Sequence, residues 1–450
     1  MKQKEVTQKQ ITDAELYNNM RKIRIANIWA VRIFFIVLFA AAVISFIIPL
    51  RPQFSQVENR KLTEFPKFTF STLFSGEYFV GIDNWYSDTF PAREFFTKLN
   101  TDFSTLFGKS DVIVHGNVEK GDEIPEQNEN NEQETPPVQE EKPQQPQELP
   151  TETIGALLIN GDTAYEYYNF IQDRADMYSA AITRAGYLMN GKAAVYDIVV
   201  PTSMEITIPK KILASVNTSD QRAAINYIYS GIIGPARKVD VYKTLKKHKD
   251  EYIYFRTDHH WTSLGAYYAY QEFMKAKGAE PTTLSDYIRH EFTPILGSFY
   301  NSSGKHPNLA ANPDTVIAYE SPITNSISIL SDGGWFSEKV ISDMSGTPAG
   351  NVYSTFIRGD NPLSVITNPH LTDNSACIVV KESYGNAFVP FLIAHYQNVY
   401  VIDYRYISKV DPRGLVGFQA DTGASDIIFI NNISATRSKS LVGAVDYFVR

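Results

Sequence analysis

Residues 376–388 read ACIVVKESYGNAF, and this stretch indicates the fold more sharply than any other part of the chain. Residues 376–380 form a continuous apolar run of strand length, which is typical of a strand buried on both faces of a mainly parallel sheet. The polar residues 381–383 follow at once, and the small residues after them can open a helix. A serine at such a strand-to-helix turn projects its hydroxyl above the sheet, at the strand end where α/β folds hold their sites.

Apolar runs alternate with helical patterns through the rest of the C-terminal part of the chain. The sequence predicts further strands at 154–159, 193–200, 251–255, 398–404 and 426–431, and helices at 165–190, 219–234, 263–277 and 385–395. This alternation predicts a layered α/β fold with a mainly parallel sheet. Polar clusters directly follow three of the predicted strands, after Val200, Phe255 and Val380. Because the carboxyl ends of parallel strands share one edge of a sheet, we expect the site there.

The N-terminal part of the chain contains a segment suited to a membrane. Residues 33–50 carry no charge, and with the apolar residues before them they reach the roughly 20 residues that a bilayer core requires. Lysine and arginine precede this run, so the positive-inside rule predicts a cytoplasmic tail at 1–27 and a single transmembrane helix at 28–50. The main domain is then extracellular. A cleaved signal peptide and a buried core helix are the alternatives, but the run ends in Pro-Leu-Arg-Pro rather than in small residues typical of a cleavage site.

Composition changes sharply at residues 117–152, where Glu, Gln, Asn and Pro dominate. Since so few apolar residues cannot offset the entropy lost on ordering, we expect a low-complexity acidic linker or loop there. An acidic recognition segment is the alternative. Residues 51–116 are expected to form the extracytoplasmic N-terminal part of the globular domain, and residues 153–450 its main part.

Charge and cysteine content exclude several classes of protein. A formal net charge of -8 argues against a nucleic-acid binder that relies on a basic surface. Cys377 is the single cysteine of the chain, which excludes an intrachain disulfide framework and a Cys-rich metal site. Because Cys377 lies inside an apolar run, we expect its thiol to be buried.

The segment TDHHW at 257–261 carries the clearest signal for chemistry. A carboxylate two residues before an imidazole can accept its Nδ1–H and thereby fix its tautomer and raise its basicity. The pattern therefore predicts His260 as a general base and Asp258 as the group that orients it, with His259 directed elsewhere if the backbone is extended. A metal site is one alternative, although no spaced histidine pattern supports it. A helix N-terminus with incidental polar residues is the other.

Ser383 becomes a candidate nucleophile when it is considered together with this segment, because a nucleophilic serine requires a base and the base an orienting group. As a helix cap, Ser383 would need no catalysis. Three other residues are candidate oxyanion or substrate contacts: Gly385 at the helix start, Asn361 in a turn, and Tyr300 in a loop that could line a cleft. Purely structural turns and loops are the alternatives for these positions.

At these residues the chain resembles the DHHW protein family of Gram-positive bacteria, itself similar to the SGNH-like acetyltransferase domains of alginate O-acetylation proteins. The resemblance extends from the end of the membrane segment to the C-terminus, apart from the low-complexity stretch. It is carried by ENR at 58–60, SDTFPAR at 87–93, TDHHW at 257–261, GSFY at 297–300, SYGNAF at 383–388 and DYRY at 403–406.

The resemblance implies an SGNH-hydrolase-like fold and a Ser–His–Asp triad, with Ser383 as nucleophile, His260 as base and Asp258 as orienting group. It implies an O-acyltransferase, most simply an O-acetyltransferase, that modifies a cell-envelope polysaccharide and works with a polytopic membrane protein that exports acyl groups. Neither a cofactor nor a metal ion is expected. SGNH enzymes carry Gly-Asp-Ser at the nucleophile, whereas residues 381–383 are Lys-Glu-Ser. A carbohydrate esterase and a non-catalytic envelope assembly or glycan-binding protein are the alternatives.

Overall fold

The computed structural model describes residues 13–46, 51–55, 60–91, 112–125, 154–344, 347, 352–410 and 413–449. The chain divides into two compact units, Met1–Asp102 and Phe103–Arg450. The predicted low-complexity segment falls largely outside the described residues.

The first unit begins with a long helix, α1 (Asp13–Phe46). Its segment Met20–Ala40 has a mean hydropathy of 2.0 and is, among the described residues, the one helix long and apolar enough to cross a membrane. The last residues of the predicted span, 47–50, lie outside the described part. The short strands β1 (Phe54–Ser55) and β2 (Arg60–Lys61) pair antiparallel. Helices α2 (Phe70–Ser75) and α3 (Glu77–Asp88) follow, separated by Gly76 in the left-handed conformation that glycine favours.

The second unit alternates strands and helices. Its strands are β3 (Val112–His115), β4 (Leu157–Asn160), β5 (Thr163–Glu166), β6 (Ala194–Val200), β7 (Arg237–Lys238), β8 (Ile288–Ile295), β9 (Asp314–Glu320), β10 (Ser326–Ser331), β11 (Gly334–Lys339), β12 (Leu363–Thr367), β13 (Ala376–Lys381), β14 (Asn398–Asp403) and β15 (Asp426–Asn432). Its helices are α4 (Gln172–Met189), α5 (Ser203–Ile206), α6 (Lys210–Leu213), α7 (Gln221–Gly231), α8 (Tyr242–Lys247), α9 (Ser263–Lys277), α10 (Ser298–Ser302), α11 (Pro307–Ala310), α12 (Gly385–Phe388), α13 (Gly414–Thr422) and α14 (Lys439–Phe448).

An eight-stranded sheet in the order β11-β10-β12-β14-β13-β15-β6-β7 forms the centre of this unit. The strands from β14 to β7 are parallel, whereas β11, β10, β12 and β14 pair antiparallel. The layered α/β class is confirmed, but the expectation of a mainly parallel sheet is wrong because the sheet is mixed. The antiparallel part consists of the β10–β11 hairpin, joined at Asp332 and Gly333, and of β12, which pairs with β10 on one side and β14 on the other. β10 begins with alternating polar and apolar residues (Ser-Ile-Ser-Ile), as antiparallel strands commonly do.

Two apolar layers enclose the sheet. Alternate residues of each strand point to opposite faces, so Val195 and Val199 pack with α4, α7 and α14 while Tyr196 and Ile198 pack with α9 on the other face. This arrangement buries the central strands on both sides, as their continuous apolar runs predict. Cys377 in β13 is fully buried, as expected.

The predicted elements agree with the structure best in this central region. The strands predicted at 193–200, 376–381, 398–404 and 426–431 correspond to β6, β13, β14 and β15, and the helix predicted at 263–277 is α9. The strand predicted at 251–255 is wrong: this segment contributes only an isolated bridge between Tyr254 and Trp261. The strand predicted at 154–159 forms β4 of a separate three-stranded antiparallel sheet with β3 and β5.

Residues 117–125 contact the folded domain, although they lie at the start of the predicted low-complexity segment. Asp122 N–H donates to Phe170 O at 2.8 Å, and Gln172 N–H donates to the Asp122 carboxylate at 2.9 Å. Ile124 packs against the apolar cluster beneath α4. Residues 117–125 are therefore part of the second folded unit.

Candidate active site

Ser383 lies immediately after β13, at the carboxyl edge of the sheet. The short helix α12 begins two residues later, and Gly385 makes this sharp turn possible: a Cβ there would lie 2.5 Å from Lys381 Cβ. Only 3% of Ser383 is exposed. The neighbouring strands β6 and β15 end at the same edge, which agrees with the predicted position of the site.

The TDHHW segment reaches this edge from a loop. Trp261 is fully buried, and its indole Nε1–H donates to Tyr384 O at 3.0 Å. The Tyr384 hydroxyl in turn donates to His259 O at 2.6 Å. These two bonds join the loop to the residue after Ser383 and fix where Asp258 and His260 lie.

The structure brings Asp258, His260 and Ser383 together in one hydrogen-bonded chain. His260 Nδ1 lies 2.6 Å from Asp258 Oδ1, and His260 Nε2 lies 2.7 Å from Ser383 Oγ. Since a carboxylate can only accept, Nδ1 carries the proton and Nε2 of the neutral ring is free to accept one from the serine. Asp258 and His260 are also almost completely buried. The arrangement can therefore move a proton from a serine hydroxyl to an imidazole.

Asp258 is held as a carboxylate by its partners. Its Oδ1 also accepts from His260 N–H at 3.0 Å, and its Oδ2 accepts from Ser298 N–H at 2.8 Å. Burial by itself would raise the pKa of Asp258, but the positive charge that His260 carries when it is protonated and these hydrogen bonds outweigh it and hold that pKa well below its usual range. Gly297 packs so closely that a Cβ there would lie 2.3 Å from Asp258 Cβ.

Tyr353 covers one face of the His260 imidazole. Its ring stacks on His260 with a centroid distance of 3.6 Å and an interplanar angle of 4°. Tyr353 is buried, and its hydroxyl lies 3.5 Å from Tyr384 O. Such a contact limits rotation of the imidazole and keeps water from that face.

Glu382, which replaces the aspartate of the Gly-Asp-Ser pattern, is a second partner of the serine. Its Oε2 accepts from Ser383 Oγ–H and from Tyr384 N–H, both at 3.0 Å, and its Oε1 accepts from Asn432 N–H at 2.7 Å. The carboxylate thus connects the nucleophile turn to the end of β15. It also engages the Tyr384 amide, one of the donors that could otherwise face an oxyanion.

A compact group of charges lies beneath the turn. Lys381 Nζ contacts Asp403 at 2.8 Å and Asp360 at 3.1 Å, and Arg405 contacts the same two carboxylates at 2.6 Å and 2.8 Å. Burial by itself would lower the pKa of Lys381, but the charges of Asp403 and Asp360 raise it above its ordinary value. Two cations and two anions therefore balance at the ends of β13 and β14.

His259 lies beside the hydrogen-bonded chain and not away from it, because the backbone of this loop is bent and not extended. Its Nδ1 lies 3.6 Å from Asp258 Oδ1. Its Nδ1 lies 2.7 Å from Ser298 Oγ, and its ring centroid lies 3.7 Å from that of His260. Asp258, His259 and His260 offer ligand atoms within 4.8 Å of one another, a spacing that a metal site could use. The contacts at 2.6 Å and 2.7 Å along the chain from Asp258 to Ser383 have hydrogen-bond lengths, so these residues fit a proton relay better than a coordination sphere.

The three candidate contact residues each have hydrogen bonds within the fold. Asn361 Nδ2 donates within its own turn, to the carbonyls of residues 357–359 at 3.3–3.4 Å. Gly385 N–H donates to Glu382 O at 3.0 Å. Tyr300 N–H donates to Thr257 O at 3.0 Å, and its ring packs against the apolar cluster around Phe299. All three therefore have structural contacts, and Tyr300 holds the TDHHW loop.

Sequence reasoning missed Tyr353 as a partner of the imidazole and left Gly297 without a physical role. Glu382 was noted only as a departure from a pattern, yet it contacts the nucleophile. Gly297 could have been suspected, because a glycine beside a polar loop often allows close approach of the backbone. No local sequence pattern points to Tyr353, because the residue it contacts, His260, lies 93 positions earlier in the chain.

Comparison with known proteins gives both a family and structural neighbours. The DHHW protein family model matches residues 58–140 and 146–402. The crystal structure of a DHHW family protein from Eubacterium siraeum is similar to this chain, with 26% identity and a TM-score of 0.57 over 65% of this chain and 96% of that one. No curated protein sequence matches the chain.

Two further solved structures are less similar. PatB1 of Bacillus cereus, solved with a sulfonyl adduct, shares the fold at 17% identity and a TM-score of 0.52, over 63% of this chain and 97% of that one. The O-acetyltransferase domain of Pseudomonas putida AlgJ matches at 11% identity and a TM-score of 0.35, over 63% of this chain and 96% of that one. The family model spans more than half of the sequence and includes the TDHHW and SYGNAF segments. The chain therefore belongs to the DHHW protein family.

Proposed function

We propose that this protein is a membrane-anchored O-acyltransferase, most simply an O-acetyltransferase, that modifies a cell-envelope polysaccharide through Ser383, His260 and Asp258. The observation that carries the proposal is the continuous hydrogen-bonded chain from the Asp258 carboxylate through His260 to Ser383 Oγ. Serine activated in this way is a nucleophile suited to acyl transfer.

In the first half of the reaction, Ser383 Oγ attacks the carbonyl carbon of the acyl donor while its proton passes to His260 Nε2. The Asp258 carboxylate stabilises the imidazolium that forms. The tetrahedral intermediate then collapses, the bond to the donor's leaving group breaks, and His260 returns the proton to that group. An ester of Ser383 remains.

In the second half, a hydroxyl of the polysaccharide gives its proton to His260 Nε2 and attacks the ester carbonyl. Collapse of this second intermediate breaks the bond to Ser383 Oγ, which takes the proton back from the imidazole. The products are an acylated sugar and the free enzyme. Water in place of the sugar hydroxyl would give hydrolysis, so transfer requires that the acceptor occupy the site first.

The N-terminal helix supports a location at the cell membrane. With the basic residues before Met20–Ala40 on the cytoplasmic side, the domain with Ser383 would face the cell envelope. A polytopic membrane protein that exports acyl groups would then be a suitable partner. The fold that this chain shares with PatB1 agrees with serine chemistry, because sulfonyl reagents of the kind present in that structure react with nucleophiles.

The test is acyl transfer by the detergent-solubilised full chain. Wild type should release p-nitrophenol from p-nitrophenyl acetate, and Ser383→Ala should reduce the rate to that of buffer alone. Addition of an oligosaccharide should then yield acetylated sugar. Free acetate alone would identify an esterase, and an unchanged rate in the Ser383→Ala variant would remove the serine from the mechanism.

A further inference from the structure

The β10–β11 hairpin reaches the same edge of the central sheet as Ser383. β12 pairs antiparallel with both β14 and β10, so β10 runs in the same direction as β14 and ends at the carboxyl edge. β13 is parallel to β14 and ends there too, directly before Ser383. The turn of the hairpin therefore lies at the edge that holds the active site, with β12 and β14 between the hairpin and β13.

The strand register places Trp335 of β11 in one row with the end of β13. The row is formed by successive pairs, Val380 with Ile402, Ile402 with Leu363, Leu363 with Leu330, and Leu330 with Trp335. Neighbouring strands lie about 4.8 Å apart, so the four steps span about 19 Å along the sheet. Because Ser383 follows Val380 by three residues, one extended chain molecule could contact both Trp335 and the active site.

Trp335 is a large apolar side chain that the fold leaves in contact with solvent. Its exposed fraction is 54%, whereas the other members of the row are buried or half-buried and Trp261 is fully buried. A Cβ built on the neighbouring Gly334 would meet no atom within 4 Å, so the space beside Trp335 is open. Single exposed apolar residues are common. The position of Trp335 at the catalytic edge, and not its exposure alone, therefore indicates a role in binding.

The surroundings of Trp335 suit a neutral sugar better than an anion or a second copy of the chain. The apolar C–H face of a pyranose ring can pack flat on an indole, whose N–H can also donate to a hydroxyl. Residues 331–337 contain one charged residue, Asp332, and thus no cation for a phosphate or carboxylate. Lys339 is exposed at the other end of β11, and lysine on an edge strand disfavours pairing with another sheet.

We propose that Trp335 forms a distal subsite for the acceptor polysaccharide, in which one sugar ring stacks on the indole while a hydroxyl several units away reaches Ser383. This inference rests on the proposed acyl transfer. It adds that the acceptor is a chain of neutral pyranose units bound along the carboxyl edge of the sheet. Trp335 is then a binding residue for long acceptors and takes no part in proton transfer by His260.

The first experiment measures binding without turnover, in the full chain with Ser383→Ala in detergent. Isothermal titration with a hexamer of N-acetylglucosamine should show saturable binding. Adding Trp335→Ala should weaken this binding about tenfold, as expected for the loss of one stacked ring. Trp335→Tyr, which keeps an aromatic ring, should lose less. If Trp335→Ala does not fold, Trp335→Gln carries the same expectation.

Phe336→Ala is the matched control. Phe336 is an exposed aromatic residue of the same strand, with an exposed fraction of 41%, but its side chain points to the opposite face of the sheet from that of Trp335. The control variant should bind the hexamer with the affinity of the Ser383→Ala parent.

Acceptor length provides the second experiment, in chains that retain Ser383. For acyl transfer to the hexamer, Trp335→Ala should raise the KM for the acceptor about tenfold and leave kcat unchanged. A disaccharide of N-acetylglucosamine is too short to span the sheet from the end of β13 to Trp335, so its KM should be the same with either residue at position 335.

Absence of hexamer binding, equal affinity with and without Trp335→Ala, or an equal loss in Phe336→Ala would each overturn the subsite. It would also be overturned if light scattering showed a protein dimer that Trp335→Ala converts to a monomer, because Trp335 would then belong to a contact between two copies. Hexamer binding that depends on Trp335, without acyl transfer by the wild-type chain, would instead overturn the proposed function alone.

Discussion

The Ser383 hydroxyl proton lies within reach of two acceptors that would lead to different outcomes. His260 Nε2, at 2.7 Å, can take the proton away and return it. Glu382 Oε2, at 3.0 Å, belongs to a carboxylate that also accepts from Tyr384 N–H through Oε2 and from Asn432 N–H through Oε1, and so holds the turn together. The shorter contact and the connection to Asp258 favour the imidazole as the base. Glu382 then fixes the position from which Ser383 would attack in the proposed reaction.

Gly297 provides a test of positioning, because its substitution leaves Asp258, His260 and Ser383 chemically unchanged. Gly297→Ala should lower the rate of p-nitrophenyl acetate hydrolysis by roughly 100-fold, because the new methyl group would displace Asp258 and a shift of about 1 Å in a catalytic geometry has an effect of this size. Steady-state kinetics on the full chain measures it.

The control for this substitution is Gly333→Ala in the β10–β11 hairpin, where the nearest atom to a new Cβ is 3.7 Å away. It should retain the wild-type rate. Wild-type turnover in Gly297→Ala would mean that the tight contact with Asp258 does not set the geometry of the site.

The charge of Asp258 should make stability depend on acid pH in a defined direction. Because its folded pKa is depressed, its contribution is fully present above the unfolded value of about 4 and is lost as pH falls through the folded value. Asp258→Asn lacks this contribution. The difference in the free energy of unfolding between wild type and Asp258→Asn should therefore shrink below about pH 4. Urea unfolding at pH 7, 5 and 3 measures it, and a gap that widens in acid would contradict the assignment.

Residue types and spacing were enough to predict the three principal residues of the site. An Asp-x-His turn and a serine after a buried strand are local patterns, and the structure joins them. Asn361 and Gly385 could not be judged in the same way, since only the folded chain shows which acceptors their donors reach. Tyr353 could not be predicted, because its stacking partner, His260, is distant in the sequence.

At the scale of elements, ion pairs connect the ends of β13 and β14. Lys381 and Asp403 are register partners in the parallel pair, and Arg405 shares the same carboxylate. The buried ammonium group of Lys381 is stabilised by its ion pairs with Asp403 and Asp360, and loss of either side of such a pair would leave a buried charge uncompensated. The pair therefore supports the strand end from which Ser383 projects.

Lys381→Met should lower the free energy of unfolding by about 3–5 kcal/mol, because it leaves two carboxylates to share Arg405. The double variant Lys381→Met with Asp403→Leu retains the balanced pair of Arg405 and Asp360 and should be more stable than the single variant. Urea titrations of the three proteins give the comparison. A double variant less stable than Lys381→Met would show that charge balance is not what Lys381 provides.

The sequence predicted best the strands in which every residue is buried. β13 and β15 are buried on both faces, so hydrophobicity alone reveals them. The 251–255 run, EYIYF, has the aromatic and branched residues of a strand, but its backbone bends before Asp258. Within it only Tyr254 forms a bridge, with Trp261. The hairpin of β10 and β11 was not predicted from the sequence, although an Asp-Gly pair at 332–333 is a common hairpin turn.

At the scale of the whole molecule, the membrane topology can be measured by cysteine labelling, because the single native cysteine, Cys377, is buried. Burial raises the pKa of the Cys377 thiol well above its ordinary value, so the native chain should react slowly with maleimides. In that background, Thr372→Cys, at an exposed position, should be labelled on intact cells by a membrane-impermeant maleimide. Thr7→Cys should be labelled only after lysis, since the positive-inside rule places it in the cytoplasm. Labelling of Thr7→Cys on intact cells would reverse the proposed orientation.

The most direct test of the central claim is to trap the acyl-enzyme. Wild-type protein quenched in acid during turnover of p-nitrophenyl acetate should gain the mass of one acetyl group, and peptide mapping should place that group on Ser383. His260→Gln should form this ester far more slowly, and Ser383→Ala should not form it. Turnover without an acetyl group on Ser383, or with the group on another residue, would contradict the assignment of Ser383 as the nucleophile.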